Sequence, residues 1–282
     1  MKIKLLTLNT HSLVEENAAD KQQKFVEVAL HELPDVIALQ EVNQRITASP
    51  MPPSSLGGYL PCSPDVTVRA DNHALTLAEE LRRRGVDYHW SYLPIKRGWG
   101  IYDEGVALLF HGAPEAFKIL TLSRNDDYEN WKTRKALGIQ IHGVWFYSLH
   151  LGWWDDSDEP FAAQWRRLNA HTKQHGPTFL MGDFNSPSDV RGEGYDLILS
   201  DGWIDTHTAA TRCEGCVTVP HSIAGWANDA LPMGGARMDY IFCNRPYAVS
   251  VSRVIFDGKD TPVVSDHFGV ICQVQGATAD EC

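Results

Sequence analysis

Short apolar runs that each end in a compact polar cluster constrain this chain more than any other feature of its sequence. The runs and their clusters are Val36-Ile37-Ala38 before Leu39-Gln40-Glu41, Thr178–Met181 before Gly182-Asp183-Phe184-Asn185, and Thr261–Val264 before Ser265-Asp266-His267. Carboxylate, amide and imidazole groups at strand ends are what a hard divalent cation and a general base require. The clusters therefore indicate a metal-dependent hydrolase of phosphate esters.

The charge balance argues against a protein built for non-specific nucleic-acid binding. The chain has 282 residues, with 25 basic and 36 acidic side chains and a formal net charge of −11. An acidic surface repels polyanions, although bound cations and a local basic patch would still allow a nuclease. The length fits one large domain or two ordinary ones.

The sequence has no run that approaches the roughly 20 apolar residues of a membrane span. Residues 1–8 alternate as a first strand does and do not read as a signal peptide, so we expect a cytoplasmic protein without a membrane partner. The six scattered cysteines indicate reduced thiols. Cys213 and Cys216 form a lone C-x-x-C, for which a structural or incidental role is favoured over half a zinc site or a redox pair.

Hydrophobic periodicity predicts more strands than helices. Strands are expected at residues 4–9, 35–40, 106–110, 137–141, 144–149, 178–181, 238–243, 249–256, 262–264 and 268–274, and helices at 21–33, 72–84 and from 160 to a stop at 176–177. Residues 44–71 are rich in proline and are expected to form a long surface excursion. No linker divides the chain, so we predict one catalytic domain over residues 1–275 and a flexible tail over 276–282. Short polar turns favour packed sheets covered by helices over a doubly wound parallel sheet.

Each candidate site residue also has a structural interpretation. Asp183 and Asn185 stand in a segment whose composition favours a plain turn. Asp239 is a charge within a strand pattern and needs a partner, which an imidazole would supply. His150, taken alone, is better explained as a hydrogen-bonded core histidine. The adjacent Asp266 and His267 are harder to dismiss, because they offer a metal ligand and a base together.

Taken in order, the motifs resemble the endonuclease/exonuclease/phosphatase superfamily. The joint occurrence of L-Q-E, S-L-H-L, G-D-F-N, R-M-D-Y-I-F and S-D-H spans the chain from Asn9 to His267. The resemblance implies an α/β fold, namely a four-layer α-β-β-α sandwich in which two mostly antiparallel β-sheets pack face to face with helices outside. It places the site at one end of the sandwich.

The resemblance also implies a metal site. Asn9 and Glu41 would sit at the metal site, with Glu41 as the principal Mg²⁺ ligand and Asp266 as a further ligand, and Mn²⁺ would be a substitute metal. In-line attack on phosphorus builds charge on the phosphoryl and leaving oxygens, which Mg²⁺ stabilises.

The other family positions would act on water and phosphate. Asp183 and Asn185 would position the attacking water and a phosphate oxygen, and His267 would pair with Asp239. Either Asp183 or the Asp239–His267 pair would remove the proton from water, and the sequence leaves this choice open.

A second group would contact the substrate. His150 would touch the phosphate and be oriented by Glu104, and Arg134 would match a basic residue near the phosphate. His11 and Tyr102 lie near these motifs and are candidate substrate contacts.

Tryptophans bear on the identity of the ester. Of nine tryptophans, several stand in polar surroundings beside the motifs, and we expect Trp153 and Trp154 to bind substrate. Flat aromatic faces beside carboxylates suit a sugar ring, although they would also stack on nucleobases. Residues 7–12, 38–42, 102–107 and 150–154 resemble a bacterial cytoplasmic subgroup that includes maltose 6'-phosphate phosphatases. That likeness implies a phosphorylated sugar as the small-molecule substrate.

Three functions therefore stay open. The first is a Mg²⁺-dependent sugar phosphatase. The second is a metal-dependent nuclease or phosphodiesterase, which is disfavoured because the 44–71 excursion contains only Arg45 and Arg69 as basic residues. The third is a silent binding module, which is disfavoured because every matched motif retains a chemically competent residue.

Overall fold

Apolar runs form strands and amphipathic segments form helices throughout the part of the chain that the computed structural model describes, residues 2–173, 175–221 and 234–276. The strands are β1 (Lys2–Asn9), β2 (Val36–Arg45), β3 (His89–Gly98), β4 (Tyr102–Phe110), β5 (Ala116–Thr121), β6 (Lys135–Ile141), β7 (Val144–His150), β8 (Thr178–Asp183), β9 (Ile204–Asp205), β10 (Arg212–Glu214), β11 (Asp239–Cys243), β12 (Ala248–Ile255) and β13 (Gly269–Gln275). The helices are α1 (Ala18–Glu32), α2 (His73–Arg83), α3 (Phe161–Thr172), α4 (Gly194–Ser200) and α5 (Thr206–Ala209). Beyond Gly276, the predicted tail lies outside the described residues.

The strands form two sheets. The first has the order β10-β12-β13-β1-β2-β4-β3 and the second has the order β5-β6-β7-β8-β11-β9. Within the described residues β1–β2, β7–β8 and β10–β12 pair in parallel, and the other neighbours pair antiparallel. The two sheets are mostly antiparallel, as predicted.

Strand alternation divides the apolar side chains among three cores. Leu5 of β1 faces the space between the sheets together with Phe179 of β8, whereas Leu6 faces α1 and α2 on the outer side of the first sheet. Leu180, next to Phe179, faces α3 and α4 on the outer side of the second sheet. The order of layers is therefore helices, sheet, sheet, helices, which confirms the predicted four-layer sandwich.

Several element boundaries differ from the prediction. β2 continues beyond Gln40 to Arg45, so the surface excursion begins later than residue 44. Residues 262–264 were expected to form a strand, but they form none, and the chain there leads directly into the Ser265–His267 cluster. β3 and β5 were not predicted. No helix among the described residues has the length and apolar character that crossing a membrane requires.

Phe179→Ala should destabilise the fold strongly, because the ring stacks on Phe146 at a centroid distance of 5.6 Å and on Tyr247 at 5.1 Å in the inter-sheet core. Removing a buried phenyl ring typically costs about 3–5 kcal/mol. Urea unfolding measures the loss. Phe179→Leu keeps most of the buried volume and serves as the control; equal losses for the two variants would contradict the packing role.

Candidate active site

Strand directions bring polar strand ends together at one end of the sandwich. β1, β7 and β8 finish there with Asn9, His150 and Asp183, and β11, antiparallel to β8, begins there with Asp239. β13 is antiparallel to β1, so the cluster at residues 265–267 that precedes β13 reaches the same edge. The structure thus brings together the three clusters on which the sequence prediction depends.

Asn9 links the two sheets at this edge. Its amide Nδ2 lies 3.0 Å from Oε1 of Glu41 in the first sheet and 3.0 Å from Oδ2 of Asp183 in the second. Its Oδ1 accepts the backbone N–H of His11 at 3.3 Å. Asn9 therefore presents an N–H donor to both carboxylates. This geometry suits a residue that positions Glu41 and Asp183, and the place of Asn9 at the metal stays a prediction.

Glu41 reaches the cavity through a break in the regularity of β2. The strand bulges between Leu39 and Val42, and Glu41 has a φ of 50°. This left-handed conformation costs a non-glycine residue roughly 1–3 kcal/mol and is concentrated at functional sites. Burial raises the pKa of the Glu41 carboxyl, and the nearby carboxylate of Glu104 raises it further. A carboxylate that is both desolvated and repelled is stabilised by a neighbouring cation.

His267 and Asp239 form a buried ion pair. Nδ1 of His267 lies 2.9 Å from Oδ2 of Asp239, and its Nε2 lies 3.9 Å from Oδ2 of Asp183. Burial by itself lowers the pKa of this imidazole, but Asp239, with a smaller contribution from Asp183, raises it to about 10. The imidazole is therefore held as a cation whose second N–H faces Asp183.

Asp183 is a buried carboxyl with an unusual pKa. Oδ1 accepts the backbone N–H of Asn185 at 2.8 Å. Burial raises the pKa of Asp183 to about 7, and repulsion from Asp239 contributes in the same direction. Gly182 allows this close packing, because a Cβ there would lie 1.9 Å from the carbonyl oxygen of Leu149. A carboxyl group with a pKa near neutrality is suited to proton exchange.

Asn185 fixes the tautomer of His150. The Asn185 amide Nδ2 donates to the carbonyl oxygen of Leu151 at 2.8 Å, which orients the amide, and it lies 3.0 Å from Nε2 of His150. Nε2 therefore accepts, and the proton of the neutral ring is on Nδ1. Burial, together with the positive charge of Arg134, lowers the pKa of His150 well below its usual value, so the ring stays neutral. Oδ1 of Asn185 is buried without a partner among the described residues.

Glu104 does not orient His150 as the resemblance implied. Its Oε1 lies 3.1 Å from Nζ of Lys96, the residue opposite it on β3. Nδ1 of His150 instead faces Oε1 of Glu41 at 3.9 Å. The contact between Lys96 and Glu104 depends on the register between β3 and β4, which places these two residues opposite each other.

Lys96 and Arg134 form a pair of buried cations. Lys96 is 8% exposed and Arg134 is 5% exposed. Nζ of Lys96 and Nη1 of Arg134 both donate to the carbonyl oxygen of Trp131, at 2.9 Å and 3.2 Å. Burial lowers the pKa of both cations, and the charge of Arg134 lowers that of Lys96 further. Arg134 therefore lines the cavity beside a second cation that the prediction missed, and its contact with the phosphate stays a prediction.

The chemistry of the carboxylates fits a divalent cation. Glu41 and Asp266 both line the cavity. His11 stands near them, with Nδ1 at 3.0 Å from Oε1 of Glu15 and at 3.8 Å from Oδ2 of Asp266. Mg²⁺ is usually held by one or two carboxylates and keeps several waters, so two carboxylates that open onto a cavity suffice. Ligand atoms of His11, Glu15 and Asp266 also lie within 4.8 Å of one another.

The cavity above these groups has a volume of about 210 Å³. Trp99 and Trp131 line it and remain more than half exposed. Trp153 also lines it, as predicted. Trp154 does not; its ring packs near Phe161 of α3, at a centroid distance of 6.1 Å, beside the outer core of the second sheet. Among the described residues, the tryptophans that face the cavity are therefore Trp99, Trp131 and Trp153.

Sequence reasoning missed Lys96 and Glu15. The only sequence signal for Lys96 was its place two residues before the Gly98-Trp99-Gly100 motif. Tyr102, a candidate substrate contact, is buried and is not among the described residues that line the cavity; its hydroxyl lies 3.4 Å from the carbonyl oxygen of Leu13.

The C-x-x-C pair lies outside the residues that line the cavity. Cys213 and Cys216 are free thiols, and Sγ of Cys213 lies 2.9 Å from Nε2 of His207. Burial raises the pKa of the Cys213 thiol, so the thiol is protonated at neutral pH.

Known proteins match the chain over almost its whole length. The profile of the Endonuclease/Exonuclease/phosphatase family matches residues 6–267. A solved family protein from Leptotrichia buccalis C-1013-b is 30% identical, with a TM-score of 0.82 over 97% of this chain and 99% of that one. No curated protein matches.

This chain belongs to the endonuclease/exonuclease/phosphatase family. Members of that family are metal-dependent phosphoester hydrolases. Two further structures share the fold at lower identity. A mannosyl-6-phosphatase from Bacteroides thetaiotaomicron VPI-5482 is 13% identical, with a TM-score of 0.62 over 96% of this chain and 99% of that one. A 3' phosphatase from Neisseria bound to product DNA hairpin is 19% identical, with a TM-score of 0.61 over 96% and 98%.

Asp239→Asn should flatten the pH dependence of stability above neutral pH. The folded pKa of His267, about 10, exceeds its unfolded value of about 6.5. Its pairing therefore contributes fully below about pH 6.5, and the contribution is lost as the pH rises through about 10. Because the variant lacks the counter-charge, its free energy of unfolding should fall less over this range.

Urea unfolding at several pH values between 6 and 10, in the presence of a chelator, measures the slope for wild type and variant. Glu27→Gln, which removes an exposed carboxylate paired with Arg84, is the control. Identical slopes for wild type and Asp239→Asn would contradict the assignment.

Proposed function

We propose that the protein is a Mg²⁺-dependent phosphomonoesterase that acts on a phosphorylated sugar. The observation that carries the proposal is that one cavity combines two buried cations, the carboxyl group of Asp183 and exposed tryptophans. Buried cations suit a compact dianionic phosphate group. Exposed indole rings suit the apolar face of a sugar.

Glu41 and Asp266 would hold the metal, and Asn9 would keep the Glu41 carboxylate in place. When bound, Mg²⁺ supplies charge stabilisation for the phosphoryl and leaving oxygens. Its preference for carboxylate oxygens agrees with these residues and with the divalent-metal dependence of the family. Mn²⁺ has the same preference and would substitute.

Asp183 is the group we assign to the proton of the attacking water. It lines the cavity, and its two oxygens are held by the Asn9 amide and the Asn185 backbone. Asp239, in contrast, is not among the described residues that line the cavity, and it accepts the Nδ1–H of His267. His267 would thus stabilise negative charge on the phosphate and leave the proton to Asp183.

Asn185 and His150 would orient the reactants. The free Oδ1 of Asn185 would accept a hydrogen bond from an O–H of the attacking water. The neutral His150 carries its proton on Nδ1, and we propose that this N–H donates a hydrogen bond to a phosphate oxygen.

Charges at the rim favour a small substrate over a polyanion. Arg97 is paired with Glu129 at 2.8 Å, and Lys132 is paired with both Asp156 and Asp158 at 2.8 Å. These cations are therefore neutralised by neighbouring carboxylates. A nuclease needs unpaired cations along a path for the phosphate backbone. The rim thus supports the phosphatase over the nuclease.

The purified protein should release inorganic phosphate from hexose or disaccharide phosphates only when Mg²⁺ or Mn²⁺ is present. A phosphate-release screen over sugar phosphates, nucleotides, inositol phosphates and oligonucleotides measures this. His267→Ala, expected to lose on the order of 10²–10⁴ in rate, controls for a contaminating phosphatase. Cleavage of oligonucleotides at comparable efficiency would overturn the sugar-phosphate assignment.

Glu41→Gln should weaken metal binding by about 10- to 100-fold, because it removes the charge of a principal ligand. Titration of Mn²⁺ followed by electron paramagnetic resonance measures the affinity without reference to turnover. Glu79→Gln on the exposed face of α2 is the matched control. An unchanged Mn²⁺ affinity in Glu41→Gln would show that Glu41 is not a metal ligand.

A further inference from the structure

A β-bulge directs Lys96 into the space between the sheets. Pro94 pairs with Gly105 of β4, but the next pair is Lys96 with Glu104, so Ile95 is an extra residue in β3. Side chains alternate along a strand, and an inserted residue shifts that alternation by one. Lys96 therefore shares a face with Glu104 and lines the cavity.

The surroundings of Lys96 and Arg134 leave donor capacity for a ligand. An ammonium has three N–H donors, and the described residues account for two, at Oε1 of Glu104 and at the carbonyl oxygen of Trp131. Nε of Arg134 is buried without a partner among the described residues. Both side chains line the cavity.

The two cations of this wall also lie close to each other. Lys96 and Arg134 share the carbonyl oxygen of Trp131, and Glu104 is the carboxylate that lies against Lys96. Glu41 and Asp183, which line the same cavity, also attract these cations, but burial disfavours both charged forms and Arg134 repels Lys96. A bound anion relieves this cost. Gly98 shows how closely the wall is built, because a Cβ there would lie 2.4 Å from Oε2 of Glu104.

We propose that Lys96 is a specificity-determining residue, which together with Arg134 binds the terminal oxygens of a phosphomonoester dianion and makes the site prefer monoesters to diesters. A monoester carries nearly two negative charges at neutral pH and three terminal oxygens. A diester carries one charge and two such oxygens. A second cation therefore stabilises a bound monoester more than it stabilises a bound diester. This inference rests on the proposed phosphomonoesterase function.

Lys96 also has a purely structural explanation, as the counter-ion that holds Glu104 in place. The two explanations differ in which substrate suffers when Lys96 is lost. A structural ion pair would affect monoesters and diesters alike, because it would shift the whole wall. A contact with the dianion would affect monoesters selectively.

The test compares kcat/KM for p-nitrophenyl phosphate and bis(p-nitrophenyl) phosphate at saturating Mg²⁺. In Lys96→Met the monoester value should fall by about 10²–10³-fold, as for loss of one charge-stabilising donor. The diester value should fall at least ten times less. Lys96→Arg should recover part of the preference, since it restores the charge. Lys135→Met is the matched control, because Lys135 follows Arg134 directly and pairs with Asp126.

Competitive inhibition by inorganic phosphate and by dimethyl phosphate gives a second readout. The inhibition constant for inorganic phosphate should rise in Lys96→Met far more than that for dimethyl phosphate. Thermal unfolding checks that each variant is folded. If Lys96→Met does not fold, Lys96→Gln is used in its place.

Two results separate the inference from the function on which it rests. If the wild type hydrolyses the monoester and the monoester-to-diester ratio is unchanged in Lys96→Met, Lys96 does not set specificity, although the phosphatase function stands. If the wild type hydrolyses only the diester, the phosphomonoesterase function itself is wrong. If the wild type hydrolyses the monoester but no sugar phosphate, the assignment of a sugar substrate is wrong, whereas the assignment of Lys96 stands.

Discussion

The hydrogen bonds from Asn9 to one carboxylate of each sheet are the contacts on which the site depends. Two sheets that pack through apolar side chains would not by themselves tolerate Glu41 and Asp183 at their common edge. The transition from core to site is gradual, because Gln40 Nε2 donates to Ser148 Oγ across the sheets at 3.0 Å just below this edge. The buried carboxylates are therefore supported from beneath by a polar layer and from the side by an amide.

The site also depends on irregularities on both sides of β4. β2 bulges opposite β4 to direct Glu41 into the cavity, and β3 bulges opposite β4 to direct Lys96 there. Gly105 lies between the two bulges, and a Cβ on it would approach the carbonyl oxygen of Leu93 to 1.9 Å. A glycine therefore lies where the strand is approached closely, between the bulge that directs Glu41 and the bulge that directs Lys96. Regular strands would have turned one or both side chains away from the cavity.

This dependence explains how much the sequence could predict. Regular apolar runs predicted the strands β7 and β8, whereas the four layers and the placement of Asp183 and His267 at one end of the sandwich followed from the family resemblance of the motifs. β3 was missed because Pro94 weakens a strand pattern and the bulge interrupts its alternation. β5 was missed because its residues are half-buried and do not alternate. The 262–264 triplet was mistaken for a strand because apolar character alone does not reveal that the chain there packs as a loop, with Val264 in the outer core.

Contacts between side chains were harder to predict than positions. The motif containing Glu104 was recognised, but its partner depends on the register between β3 and β4, and an unpredicted bulge sets that register. The same reasoning applies to Trp154, which is adjacent to Trp153 and yet lies against the outer core. Neighbours in a motif have similar composition, whereas the direction of each side chain is decided by the backbone.

The two walls of the cavity carry opposite and incompletely compensated charges. Burial and Glu104 disfavour the charged form of Glu41, and burial disfavours the charged forms of Lys96 and Arg134. A cation beside Glu41 relieves the first cost, and an anion beside the lysine and arginine relieves the second. Because a bound cation and a bound phosphate also attract each other across a cavity of this size, each should increase the affinity for the other by the same factor. The arrangement of charge thus favours the metal and the phosphate binding together over either binding alone.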